Sequence, residues 1–160
     1  KTVYENVAFV LEVCGKSDDE IRQRVPEALE MVGLLDHARL FPFQLSGGEL
    51  QKTSLARAIA HNPPLIIADE PTGNLDPASA REIIDILLKI HAQKKTILLA
   101  SHNQELVNYI RKRVVMMNQG RIIFDEKESE YDVKLLRKFA QQNDVSGYSE
   151  IELHIDADIH

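Results

Sequence analysis

Apolar residues recur at helical spacing through the opening of the chain, then collect into short continuous runs from Leu65 onward. Thr2 and Glu5 have the T-x-x-E spacing of a capping box ahead of Val7, Val10 and Leu11, which predicts a helix over about Val3 to Val13. Ile21, Val25, Leu29 and Val32 form one stripe of a second helix, about Asp19 to Val32. Pro26 removes a backbone donor inside it and should kink it, and Gly33 is a good stop. A short helical turn from Asp36 to Leu40 then leads to Pro42, so residues 1–45 read as helical with no strong strand signal.

From Leu65 the pattern changes. LIIAD and TILLAS (from Thr96) are short apolar runs separated by a helix over Pro77 to Ala92, a spacing that predicts parallel strands in a buried sheet. A helix follows over Gln104 to Ile110, and VVMMNQGRIIFD reads as a hairpin around Asn118-Gln119-Gly120. The chain therefore reads as an α/β protein: a helical part at 1–45, then a helix and an α/β core at 46–126. Residues 127–160 form a C-terminal extension, expected to be partly disordered, in which VKLLRKFA (from Val133) has the spacing of a packing helix. Within it Ile151, Leu153, Ile155, Ala157 and Ile159 alternate with His154, Asp156, Asp158 and His160. That polar face has metal-ligand chemistry, but an acidic solvated strand or a frayed end is the preferred reading.

Bulk properties narrow the function. At 160 residues, 44% hydrophobic and 28% charged, the chain is long enough for one domain with its own core. Nineteen basic against 25 acidic residues give a net charge of −6, which argues against a broad nucleic-acid footprint, although Arg111, Lys112 and Arg113 are adjacent. No apolar run is long enough to span a bilayer and no signal peptide opens the chain, so membrane association is expected only through a partner, on the cytoplasmic side. The single Cys14 cannot form an internal disulfide, points weakly to a reducing compartment, and is read as a small buried apolar residue. Beginning at Lys1, without an initiator Met, the sequence reads as a fragment or a processed product.

Chemistry concentrates between Leu45 and Asp76. Ser46 and Glu49 form a second capping box around Gly47 and Gly48. Each glycine costs roughly 1 kcal/mol relative to Ala in a helix, so a pair at the first turn implies close approach to the backbone. Bare amides at a helix N-terminus suit a phosphate. LIIADE is an apolar strand ending in carboxylates: Asp69 is placed to hold Mg²⁺ and Glu70, one residue on, to polarise a water. Taken alone, that pair is as readily an acidic turn stopped by Pro71. Asp76-Pro77 is an ideal helix start, and His102 follows an apolar strand, where α/β folds place ligand-binding residues. Gly15-Lys16-Ser17 is a turn and not a phosphate-binding loop, because GxxxxGKS/T would need Gly where Val10 stands.

LSGGE, then LIIADEPTGNLD, then LLASH resembles the signature motif, Walker B motif, D-loop and switch histidine of ATP-binding cassette (ABC) ATPases, over roughly Thr2 to Asp125. The wording of KTVYENVAFVLEV and RKRVVMMNQGRI looks most like the cell-division (FtsE-like) group, with lipoprotein-releasing and macrolide-export types as alternatives. The resemblance implies a P-loop NTPase core with a parallel sheet and a helical subdomain, and ATP and Mg²⁺ as cofactors. It implies a homodimer in which Ser46, Gly47 and Gly48, with Glu49 behind them, face the γ-phosphate held by the opposite subunit. Asp69 would hold Mg²⁺ through water, Glu70 would be the general base, Asp76 would lie at the dimer interface, and His102 would touch the γ-phosphate. Residues near Thr2 to Leu40 would face an integral membrane partner, and Lys52 stands where the family usually has Arg.

No Walker A loop, Q-loop or adenine-stacking aromatic of the family is matched, and the strand carrying Walker A belongs to the central sheet. The expectation is an exposed sheet edge, and 160 residues that alone neither bind ATP tightly nor hydrolyse it. A second reading is a non-catalytic module that lends its signature helix in trans. A chromosome-organising ATPase ranks lower, because sustained heptads are missing.

Overall fold

The computed structural model describes residues 1–126 and 150–155. Helix α1 (Val3–Val13) starts at the Thr2–Glu5 capping box, in which Glu5 N–H donates to Thr2 Oγ1 and Thr2 N–H to Glu5 Oε2. Helix α2 (Asp18–Met31) has the same device at Ser17 and Glu20, so the Gly15-Lys16-Ser17 turn ends in a helix cap. The helix continues through Pro26. A 3₁₀ turn at Leu35–His37 replaces the predicted helical turn, and a second follows at Pro42–Gln44. Helix α3 (Gly47–Ile59) begins at N-cap Ser46.

The chain divides into two compact units: Lys1–Ile66 with Thr72–Leu87, and Ile67–Pro71 with Leu88–His160. In the first, α1, α2 and α3 pack on one another. Val3, Val7 and Leu11 of α1, Val25 and Leu29 of α2, and Ala56 of α3 are fully buried. These are the stripes that the helical period selects, and burying each large aliphatic stabilises the unit by roughly 1.5–3 kcal/mol. Cys14 departs from its reading as a buried residue: it is the exposed C-cap of α1, beyond the last apolar position of the stripe.

The second unit is built on strands. In chain order come strand β1 (Leu65–Asp69), helix α4 (Pro77–His91), whose residues through Leu87 belong to the first unit, and strand β2 (Thr96–Ala100). They are succeeded by α5 (Gln104–Ile110), β3 (Val114–Asn118) and β4 (Arg121–Glu126). Strands β3 and β4 form the predicted hairpin, with Gln119 and Gly120 both at positive φ (47° and 74°) as a tight two-residue turn requires. The sheet order is β1-β2-β5-β3-β4, where β5 is Glu150–Ile155.

Strand β5 runs antiparallel to both of its neighbours, so β2 and β3 run parallel to each other and the sheet is mixed. The slot between β2 and β3 is filled by the chain's own C-terminal segment, and the sheet edges are β1 and β4. Register explains the fit. Ile155 and Leu153 pair with the fully buried Ile97 and Leu99, while His154 and Glu152 pair with the half-buried Leu98 and Ala100. Only Ile66 of β1 is buried; Leu65 and Ile67 are exposed, as an edge position allows. The proposed helix from Val133 and the polar positions Asp156, Asp158 and His160 lie outside the described residues. Among the described residues no cluster of His, Cys, Asp or Glu is disposed to hold a metal ion, and no helix is long and apolar enough to cross a membrane.

Leu99 is wholly buried in the strand that leads to His102. Leu99→Ala should lower unfolding free energy by about 2–5 kcal/mol, read from the urea midpoint at unchanged m-value. A loss under about 1 kcal/mol would mean that β2 is not in a packed core.

Candidate functional site

The sequence-predicted site residues fall into two sets, one in each unit. In the first unit Ser46, Gly47, Gly48 and Glu49 open α3. Glu49 N–H donates to Ser46 Oγ at 3.3 Å, and Ser46 N–H donates to Glu49 Oε2 at 2.7 Å. The Ser46 backbone and side-chain hydrogen bonds hold the Glu49 carboxyl below its ordinary pKa, so it is anionic at neutral pH. Capping satisfies two groups and leaves the Gly47 and Gly48 amides at the open end of a thirteen-residue helix. Ser46 and Gly47 are exposed and Gly48 is half-buried.

The glycine pair has a packing reason as well. A Cβ on Gly48 would lie 3.2 Å from both Cβ and Oγ of Ser79, and one on Gly47 would lie 3.6 Å from Leu75 Cδ2. The start of α4 therefore sits against the start of α3, and only the first of these contacts is tighter than ordinary van der Waals contact. Asp76 fixes that neighbour. Its Oδ1 accepts from Ala78 N–H and Ser79 N–H, and its Oδ2 accepts from Ser79 Oγ–H at 2.5 Å. The Ser79 hydroxyl and amide together hold the Asp76 carboxyl below the usual range. Lys52, the position that departs from the family pattern, spans to Glu82 of α4 at 2.6 Å and clamps the same two helices.

In the second unit the strand ends carry the chemistry. Neighbouring strands β1 and β2 end in Asp69-Glu70 and Ser101-His102, and Glu70 N–H donates to Ala100 O at 3.0 Å. Glu70 adopts φ 44°, the left-handed region that costs a non-glycine residue roughly 1–2 kcal/mol. In that conformation Glu70 Oε1 accepts from His102 N–H at 3.1 Å and lies 2.5 Å from His102 Nδ1. The acid and the histidine, 32 positions apart, thus meet at the carboxyl ends of adjacent strands, where α/β sheets gather their ligand chemistry. One carboxylate oxygen is committed to His102, which leaves Oε2 to take a proton. Asp69 is exposed, and among the described residues no hydrogen bond or ion pair engages its carboxylate. A hard oxygen donor of this kind suits Mg²⁺.

Sequence reasoning missed three contributors. Asn103 caps α5 through Glu105 N–H and Leu106 N–H and so sets the backbone that follows His102. Ser79 had no signal beyond its place after Asp-Pro. His37, whose Nε2 lies 3.2 Å from Glu49 Oε1, had none at all.

Residues 1–73 match the ABC transporter family. The chain is 50% identical over 131 residues to the cell division ATP-binding protein FtsE of Streptococcus pneumoniae (serotype 2, strain D39), which is 82% of this chain and 57% of that protein. FtsE of Bacillus subtilis is 50% identical over 130 residues, 81% of this chain and 57% of the relative. FtsE of Escherichia coli K12 is 43% identical over 122 residues, 76% and 55% respectively. The chain thus spans little more than half the length of these curated relatives. A 131-residue match within 160 residues necessarily takes in Ser46 through His102, so both sets of candidate residues lie in the stretch over which the chain is similar to these ATP-binding proteins.

Proposed function

We propose that this chain belongs to an ATP-binding subunit of an ABC-type complex of the cell-division kind, which couples ATP binding and hydrolysis to an integral membrane partner. The observation that carries the reading is the Glu70–His102 pair at the ends of β1 and β2. Glu70 is the general base: its carboxylate takes the proton of the attacking water, and His102 fixes its orientation and contacts the γ-phosphate. Asp69 supplies the oxygen that holds Mg²⁺ through water; the ion, when bound, neutralises charge on the phosphates. Ser46 and the Gly47 and Gly48 amides face the γ-phosphate of ATP on the opposite subunit of a homodimer, and Asp76 lies at that interface. Attachment to the membrane is peripheral, from the cytoplasmic side, through the partner, and no nucleic acid is involved.

A second reading rests on a different observation. The start of α3 is fully formed by contacts within its own unit, through its capping box and its packing on α4. A chain of that kind can lend its signature helix to another subunit's nucleotide without turning over ATP itself.

Two measurements separate these readings. In the complete protein, Glu70→Gln keeps the shape and the contact with His102 but removes the base. Turnover should fall by at least about 100-fold while ATP binding, followed by equilibrium dialysis, persists; near-normal turnover would remove Glu70 from the role of base. The 160 residues alone should show no Mg-dependent ATP hydrolysis, because the β- and γ-phosphates have no backbone cradle. Turnover by that chain, abolished in Glu70→Gln, would show that it is self-sufficient and would exclude the lending module.

A further inference from the structure

We propose that His37 is a positioning residue: through Glu49 it fixes the phosphate-facing start of α3 and ties it to the first turn of α1. Three observations converge. The first is the use of both Glu49 oxygens. Oε2 accepts from Ser46 N–H at 2.7 Å, and Oε1 lies 3.2 Å from His37 Nε2. A capping glutamate that used only one oxygen could rotate; one held at both has a single arrangement. Glu49 and His37 are both partly shielded from water, with side chains 29% and 36% exposed.

The second observation is an orphaned atom. His37 Nδ1 is buried with no hydrogen-bond partner. Nε2, not Nδ1, is the ring nitrogen that faces the Glu49 carboxylate, which leaves Nδ1 without a role in the contact. Leaving that nitrogen unsatisfied is costly, and an apolar side chain would fill the place without the cost. The ring is explained by what Nε2 does for Glu49.

The third observation is where His37 is anchored. Its N–H donates to Leu34 O at 3.0 Å, and its carbonyl accepts from Leu40 N–H at 2.9 Å. The next residues receive the free amides of α1: Val3 N–H donates to Leu40 O at 2.8 Å and Tyr4 N–H to Ala38 O at 2.9 Å. Hydrogen bonds therefore run from the first turn of α1 to residues 37–40, and the 3.2 Å His37–Glu49 contact carries the series on to the cap of the glycine pair. The relevance of that cap to phosphate rests on the reading proposed above, but the positioning itself does not.

Amide exchange tests it without nucleotide. In the 160-residue chain, solvent-exchange NMR of the Ser46 amide reports directly on the Glu49 cap, and the core amides of Val7 and Leu11 report on overall folding. Gln places an amide nitrogen near the Nε2 position, whereas Asn places one near Nδ1 and falls short of Glu49. His37→Asn and His37→Leu should speed Ser46 exchange by about fivefold, the consequence of losing one polar contact to the Glu49 carboxylate. His37→Gln should restore it to within about twofold, with Val7 and Leu11 unmoved in each. Equal protection of Ser46 in all variants, or Asn performing as well as Gln, would overturn the proposal. If the Leu variant does not fold, the Gln–Asn comparison still decides. Because no ATP is present, failure here leaves the ATPase reading intact, and failure of Glu70→Gln leaves this one intact.

Discussion

The hydrogen bond from Glu70 N–H to Ala100 O is the constraint on which the candidate chemistry depends. It extends the pairing of two neighbouring strands one residue past the end of β1, at the point where the chain must turn toward Pro71. Continuing in the extended conformation would send the Glu70 side chain to the face opposite Asp69, since side chains alternate along a strand. Glu70 instead takes a left-handed φ of 44°, and in that conformation its carboxylate reaches His102. The strain is of the same order as one hydrogen bond to a charged group, and Glu70 makes two such bonds to His102. A glycine would take this φ freely but would bring no carboxylate. Strain of this size at a strand end, offset by contacts that use the strained residue's own functional group, is the pattern expected of a site and not of a loop chosen only for its turn.

The start of α3 follows a different logic. There every residue has both a local and a longer-range reason. Ser46 and Glu49 cap the helix whether or not an anion ever arrives, and a Cβ at Gly48 would press on Ser79 at 3.2 Å whatever faces its amide. The glycine pair alone is therefore weaker support for phosphate binding than its sequence suggests. What raises it is that packing uses one side of the first turn while Ser46 and Gly47 stay exposed. Asp76 and Lys52 hold the neighbouring helix from two points, so the amides of that turn are fixed in place before any ligand binds.

Much of this was legible in the sequence because the signals were local. T-x-x-E, S-G-G-E and Asp-Pro marked three helix starts, LIIAD was bounded by Pro64 and Pro71, and TILLA stood out as an apolar run between polar residues. The Ser17–Glu20 box has the same spacing, but its Ser17 is read in the sequence only as part of the Gly15-Lys16-Ser17 turn. What stayed hidden was non-local. His37 and Glu49 are twelve positions apart on different elements, and Glu70 and His102 are joined only because β1 and β2 are neighbours. A side chain's partner across such a distance leaves no trace in periodicity. The exposure of Leu65 and Ile67 was equally invisible, since an apolar run reads the same at an edge as in the middle of a sheet.

Strand β5 shows how composition can point two ways. Alternating Ile and Leu with Glu and His looked like a solvated end, and charged residues do favour that state. Yet the alternation also matches, position by position, the one-sided burial of its neighbours: Val114 and Met116 are buried opposite Leu153 and Ile151, while Val115 and Met117 are only partly covered opposite Glu152 and Glu150. A segment apolar on both faces would have been a better tenant for a sheet buried on both sides, and a worse one here. Because the pairing is antiparallel, its amino-terminal end lies alongside the carboxyl end of β2, the end that leads to Ser101 and His102. A parallel strand in the same slot would instead present its carboxyl end, and the loop following it, to that edge. The direction of one strand thus sets which of its ends lies at the carboxyl edge of β2, the edge where Glu70 and His102 meet.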